Sequence, residues 1–255
     1  MSNSNISSAT TLSVVPSQSN IIPFDASTLS VKQLIKLGYT RSKIVKIKHL
    51  KPHSPVMPIK SLEDIQKCKE YFLKQPSTYR NNHLNLRNYS IFCLNINIGL
   101  RASDLLYLKI RDIMCEKNKF KNEVSIIESK TGKTKTFNIC QNAREAILLY
   151  LETRPNYQMN EYLFTSKKLK NEPLTPNGLW RIIKKMQNDV GITENLGTHS
   201  LRKSFAYQRL MKHKDDPYYV ATIQELLNHS SIAITRKYLG IDNDVKKDAY
   251  LNDEI

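Results

Sequence analysis

Thr198-His199-Ser200-Leu201-Arg202-Lys203-Ser204-Phe205 is the stretch on which the reading of this chain turns. Its meaning comes from Leu226-Leu227-Asn228-His229 and Arg236-Lys237-Tyr238 downstream, and from Gly99-Leu100-Arg101-Ala102-Ser103-Asp104 upstream. His199 and Arg202 stand three residues apart, so on a helix they share a face and can meet one ligand. Alone, such a pair is usually a solvated helix face. Arg101 alone is an ordinary surface arginine, His229 a capping or core histidine, and Tyr238 an amphipathic surface residue. Taken together they form a chemical set. A phosphodiester under attack requires cations around its equatorial oxygens, a proton donor for the leaving oxygen and a nucleophile. Two arginines, two histidines and a tyrosine supply these parts. A free phenol has a pKa near about 10 and is a weak nucleophile, so Arg101, Arg202 and a histidine must ease its deprotonation. Tyr207, Tyr218 and Tyr219 lack this setting and read as core or interface. Arg101 falls at a predicted helix start, where free backbone N–H groups also favour anions. Asp104 either buttresses Arg101 or a histidine, or is a plain carboxylate of the first helical turn.

The bulk numbers point the same way. The 255 residues suffice for a sizeable core. A formal net charge of +16, from 39 Lys+Arg against 23 Asp+Glu, favours a polyanionic partner. Cys68, Cys93, Cys115 and Cys140 are scattered without a C-x-x-C pair, which argues against a zinc site and for a reducing cytoplasm. The N-terminus lacks the order of a signal peptide. The most apolar stretch, from Tyr89 to Leu100, is interrupted by Asn95 and Asn97 and is too short to span a bilayer. No glycine loop for phosphate and no carboxylate cluster for metal accompanies the site, so no cofactor or metal is expected.

Residues 1–27, rich in Ser, Thr and Asn with Asp25 the only charge, read as a disordered tail. Segment 31–60 holds eight Lys+Arg and no acid. Its apolar spacing around Gly38 predicts two short helices, giving a basic helical arm over 28–56, followed by a linker at Pro52, Pro55 and Pro58. Lys32, Lys36, Arg41, Lys43, Lys46 and Lys48 of the arm, with Lys133 further on, are the candidate DNA-contacting cations. Residues 57–255 read as one α+β domain, mainly helical with a small antiparallel sheet. Ser61-Leu62-Glu63-Asp64 is a capping box opening a helix to about Lys74. Helical spacing continues over Leu84–Ile98, Ala102–Lys109, 142–153, 176–190, 199–212, 217–228 and 231–237. Val124–Ile127 and Thr134–Ile139 flank Lys130-Thr131-Gly132-Lys133 and predict a β-hairpin. A lysine at its exposed tip is solvated by default, yet a mobile tip is also a way to bring a general acid into a groove. Lys130, Lys133 and Lys135 compete for that role.

The order Arg101, Lys130, His199, Arg202, His229, Tyr238 resembles the tyrosine site-specific recombinases, the family of phage integrases and Xer-type recombinases. The resemblance covers about residues 57–240 and rests on Gly99–Leu105, Ser129–Gly132, Thr198–Phe205, Leu226–Ser231 and Tyr238. It implies a recombinase catalytic domain in which Tyr238 attacks the scissile phosphate of double-stranded DNA and forms a 3′-phosphotyrosyl link. Arg101 and Arg202 would clamp the non-bridging oxygens and His229 would hydrogen-bond one of them. His199 would assist proton transfer at the tyrosine, and Lys130 would protonate the 5′-oxygen. The covalent intermediate keeps the ester energy, so ATP and metal are not required. The resemblance also implies a homo-tetramer on synapsed DNA, formed from monomers or weak dimers, and a role on a bacterial-type nucleoid or a mobile element. The family usually has a helical core-binding domain before the catalytic one, and the short basic arm is expected to be a reduced substitute for it. The acidic segment 241–255, with apolar residues near helical spacing, is expected to dock on a neighbouring subunit. The rivals are a type IB topoisomerase-like enzyme, a non-cleaving DNA-binding regulator that keeps the fold and, third, a ribosome-associated basic protein.

Overall fold

The computed structural model describes residues 29–47, 55–75, 79–166 and 171–239. The tail 1–27, Lys48, Pro52 and the acidic segment 241–255 lie outside the described residues. The chain divides into two compact units, Met1–Ser54 and Pro55–Ile255.

The first unit contains α1 (Val31–Lys36) and α2 (Arg41–Ile47). Ser30 and Gln33 close a reciprocal capping box at the start of α1, satisfying two backbone donors that a helix start leaves free. Gly38, at φ +79°, lets the chain reverse between the helices. Leu34 and Ile44 form the buried centre, with Leu29, Tyr39 and Ile47 packed against them. Lys32, Lys36 and Lys43 are exposed.

The second unit is built around a helix that is buried on every side over two of its turns. Ser90 through Ile96 are all buried, two turns without a solvent face, which marks a central element rather than an amphipathic surface helix. This helix, α4 (Tyr79–Ile98), packs against α3 (Leu62–Lys74), α7 (Gln141–Glu152) and α9 (Ser200–Lys212). It starts five residues before the predicted Leu84, because Tyr79–His83 is polar and carries no periodic signal. Ser61 caps α3 by accepting from the Asp64 N–H at 3.2 Å. The predicted helix over Ala102–Lys109 is shorter, as α5 (Ala102–Leu106). Lys109 leaves helical geometry to form a β-bridge with Tyr162, and α6 (Ile110–Ile113) follows.

The sheet is two separate antiparallel pairs. The predicted hairpin pairs β3 (Val124–Ile127) with β4 (Thr134–Phe137), Val124 opposite Phe137 and Ile127 opposite Thr134. The sequence reading missed the smaller pair, β1 (Met114–Glu116) with β2 (Lys119–Phe120), whose tip Glu116–Lys119 is wholly polar. Then come α8 (Pro176–Val190), α10 (Tyr219–Leu226) and α11 (Ile232–Leu239). Thr175 caps α8, Pro176 fills its first turn, and Gly191 at φ +81° ends it.

The entry segment is stitched to α9. The Ile59 N–H donates to Ser204 Oγ at 2.7 Å, and Gln208 Nε2 donates to the Ile59 and Lys60 carbonyls. At the other side of α9, Gly99 follows α4 at φ +62°, and a Cβ there would lie 2.5 Å from Phe205 Cδ1. Gly99→Ala is therefore expected to cost about 2–4 kcal/mol, from left-handed strain plus overpacking. Gly191→Ala, strained but in open space, should cost only about 1 kcal/mol. Urea unfolding midpoints at unchanged m-value check the ranking; equal losses would mean that Phe205 yields.

Candidate active site

The C-terminal ends of two helices meet around one buried cation. Arg202, on the first turn of α9, is 2% exposed. Burying a guanidinium costs several kcal/mol unless its donors are met. Its Nη1 donates to the Gly99 carbonyl and its Nη2 to the Leu227 carbonyl, each at 2.6 Å. Both acceptors lie where α4 and α10 run out of intrahelical N–H partners, at the negative ends of the helix dipoles. The two bonds use two of five guanidinium donors, and the others face the Tyr238 hydroxyl and the cleft.

Arg101 is the N-cap residue of α5, two positions after Gly99. It forms an ion pair with Glu128, whose side chain is fully buried. Burial pushes the Glu128 carboxyl up, but pairing with Arg101 and the hydrogen bond from Thr131 outweigh this and hold it below its ordinary range. Asp104 does not serve Arg101. Its Oδ1 accepts from the Ser129 N–H at 3.0 Å and from Ser129 Oγ at 2.6 Å, fastening the base of the β3–β4 tip to α5.

His199 caps α9 without using its side chain for the cap. It stands exposed, with its pKa lowered by desolvation and then by the charges of Arg202, Lys130 and Arg101. His229 Nδ1 lies 3.0 Å from Thr235 Oγ1. For its Nε2 to donate to an oxyanion, Nδ1 must accept from that hydroxyl. Burial, then Arg202 and Arg101, push His229 down to about 4, so it is neutral at physiological pH. Tyr238, on α11, packs edge-on against the His229 ring, with Lys203 Nζ 5.1 Å from its own ring centroid. Its hydroxyl is buried without a formed hydrogen bond. Burial pushes the phenol up to about 12, while Arg202 and Arg101 pull in the opposite direction.

Arg101, Lys130, His199, Arg202, His229 and Tyr238 together line one open cleft of about 390 Å³, with Lys133 and Asn228 also on its wall. Lys130 and Lys133 are exposed at the hairpin tip. Lys135 is buried off this wall, its Nζ 3.3 Å from the Ile98 carbonyl, and burial followed by Arg202 pushes it down to about 7. It therefore belongs to the scaffold beneath the site. Among the described residues, no group of three His, Cys, Asp or Glu side chains is placed to hold a metal ion. Glu128, Thr131, Asn228 and Thr235 were missed by the sequence reading. Only Glu128 carried a signal, as the single acid in segment 124–137.

The profile of the phage integrase family matches residues 69–244. The chain belongs to the phage integrase family. It is 36% identical over 195 residues to the probable integrase/recombinase YoeC of Bacillus subtilis, covering 76% of this chain and 95% of that protein. It is 34% identical over 158 residues to the tyrosine recombinase XerA of Pyrococcus horikoshii, and there it spans about half, 51%, of the relative. The fold of this integrase-family chain resembles that of XerH site-specific recombinase bound to a palindromic difH substrate, with a TM-score of 0.58 at 24% identity, over 78% of this chain and 54% of that one. It also resembles a crystal structure of XerA recombinase, with a TM-score of 0.57 at 20% identity, over 88% and 79% of the two chains. No helix among the described residues is long and apolar enough to cross a membrane.

The depressed His229 has a consequence for stability. The unfolded chain protonates this histidine near about pH 6.5, whereas the folded chain does so only at about 4. Between those values the unfolded state binds more protons, so stability is lost as pH falls through the window. Calorimetric melting between about pH 7 and about pH 4.5 should show that loss, and it should be shallower in His229→Asn. Equal slopes would mean that His229 is not held neutral by the fold.

Proposed function

We propose that this protein is a DNA strand transferase, a site-specific recombinase that cuts and rejoins DNA through a 3′-phosphotyrosyl intermediate. The observation that carries this reading is the single cleft into which five separate segments deliver two arginines, two histidines, a lysine and a half-buried tyrosine.

In the proposed reaction a scissile phosphate enters with its non-bridging oxygens toward the free donors of Arg101 and Arg202, and His229 donates to one of them. Tyr238 Oη attacks phosphorus while the bond to O5′ breaks. The phenolic proton passes to His199, which is neutral and accessible. The Lys130 ammonium protonates the departing 5′-oxygen. The products are a phosphotyrosine ester and a free 5′-hydroxyl, and attack by another 5′-hydroxyl reverses every step. One phosphodiester is exchanged for another, so joining needs no ATP. Exchange between two duplexes requires four cleavages, and hence a tetramer with one Tyr238 per cut strand. The basic arm over 28–56 serves as the additional DNA-contacting surface, through Lys32, Lys36, Arg41, Lys43, Lys46 and Lys48, with Lys133 approaching the backbone at the cleft. The 57–255 domain carries the chemistry. Action at the nucleoid or on a mobile element follows from such an activity.

A duplex nicked beside the scissile phosphate, drawn from inverted half-sites in the DNA flanking the gene, should trap a covalent adduct. Tyr238→Phe should bind that duplex normally and form none. Arg101→Ala and Arg202→Ala should each slow cleavage by about 10²–10³, the scale for removing one donor to a developing oxyanion. Adduct mapped to Tyr218, Tyr219 or Tyr250 would assign the chemistry to another residue. Plasmid relaxation without recombinant product would identify a topoisomerase, and binding without adduct a regulator.

Deleting 28–56 removes seven Lys and Arg residues. Binding should weaken, and the slope of log K against log salt should shrink by about 0.9 for each phosphate that is no longer neutralised. An unchanged slope would mean that the arm serves a partner other than DNA.

A further inference from the structure

Among the described residues, Glu128 is the one fully buried acid beside the cleft, and all its side-chain partners are donors. Oε1 faces Arg101 in the ion pair. Oε2 accepts from Thr131 Oγ1 at 2.8 Å and from Asn228 Nδ2 at 3.3 Å. These partners come from three parts of the site. Arg101 is half of the phosphate clamp, Thr131 adjoins Lys130 at the hairpin tip, and Asn228 adjoins His229. Asn228 is itself held at φ +55° and also donates to the Thr134 carbonyl at 3.1 Å. The backbone of Glu128 closes the tip, its N–H donating to the Lys133 carbonyl and its carbonyl accepting from the Gly132 N–H, both at 2.9 Å.

We infer that Glu128 is a positioning residue that locks the Lys130-bearing tip to Arg101, so that the proton donor for the leaving oxygen is set in register with the phosphate clamp. The inference rests on the reading of the cleft as a phosphodiester-cleaving site. Two physical points support it. Three donors converging on one buried side chain require a group that only accepts, and an ionised carboxylate is the one that does. The base of the tip is fastened separately, through Ser129 to Asp104. Losing Glu128 therefore frees the tip and the guanidinium without detaching the hairpin. Glu128 does not reach the cleft wall and acts through its partners.

The test uses the full chain and the nicked duplex at which the wild type forms its Tyr238 adduct. Glu128→Ala removes the lock. Glu128→Gln keeps the volume but presents an NH₂ to donors, so it disturbs the lock while preserving packing. Each variant is assayed in single-turnover cleavage with the natural 5′-oxygen and with sulfur in its place, since a thiolate leaves without a proton donor. Both variants should lose about 10²-fold on the oxygen ester, the lower end for lost general-acid catalysis. On the sulfur ester each should recover by at least about tenfold, the pattern expected of Lys130→Ala. Equal losses on both esters, or wild-type rates with both variants, overturn the inference while leaving the function intact. A wild type that forms no Tyr238 adduct overturns the reading of the cleft and this inference with it.

Discussion

Keeping a guanidinium charged inside the protein is the constraint around which this unit is arranged. Arg202 is inaccessible on the face that meets the core, so its charge is tolerable only where acceptors are already fixed. The C-terminal ends of α4 and α10 provide them, and the Gly99 and Leu227 carbonyls are drawn to within 2.6 Å. The same end of α4 also receives Lys135 through the Ile98 carbonyl. Two basic side chains donate at one helix terminus, where the negative end of its dipole favours them. They also force the turn that follows into a single shape. Gly99 must lie at positive φ, with no side chain to strike Phe205 of the helix that carries Arg202. Arg101 follows that turn directly, so burying one arginine places the other.

In the proposed reaction the cleft is poised to react only once a phosphate enters it. Burial keeps the Tyr238 phenol protonated, and burial, reinforced by the neighbouring cations, keeps both histidines neutral. In the proposed reaction an entering phosphate diester takes up part of the arginines' field. The net positive charge that depresses the histidines then falls, and His199 becomes a better proton acceptor at the moment Tyr238 must lose its proton. Burial thus restrains the nucleophile in the empty site, and in the proposed reaction the arginines that oppose it support the transition state in the occupied one. Reactivity is tied to substrate without a separate switch.

Much of this was legible in the sequence because most helices advertise themselves by apolar spacing and by caps. Ser61 marks the start of α3, and the helical spacing over 176–190 coincides with α8. The first turn of α4 was not legible, because Tyr79–His83 is held in a helix by continuation from the buried part rather than by its own pattern. Nor was the end of α5, where a bridge to the distant Tyr162 overrides helical spacing. At the site, the residues with distinctive chemistry could be read, since only a few side-chain types can clamp, protonate or attack. The sequence leaves Asp104 open between a buttress for Arg101 or a histidine and a plain carboxylate of the first helical turn; it lies in that turn, and its partner Ser129, 25 residues away in sequence, was not legible. Asn228 and Thr235 make hydrogen bonds that any polar residue might make elsewhere, and nothing local marks them.

The hairpin shows how such unmarked residues limit motion. A lysine on an exposed tip can swing through many positions on a nanosecond-to-microsecond scale, and most of them are useless to a leaving oxygen. Asp104 holds Ser129 immediately before Lys130. Thr131 immediately after it is held by Glu128, and Gly132 at φ +67° returns the chain to the strand. Lys130 is therefore flanked on both sides by anchored residues, and the freedom left to it is mainly that of its own side chain. That freedom is an advantage in the proposed reaction, because the ammonium must follow an oxygen that departs from phosphorus while the backbone beneath it stays in place. A rigid residue would stabilise either the bonded or the departed oxygen. A long side chain on a pinned backbone can serve both, and the reverse step needs both equally.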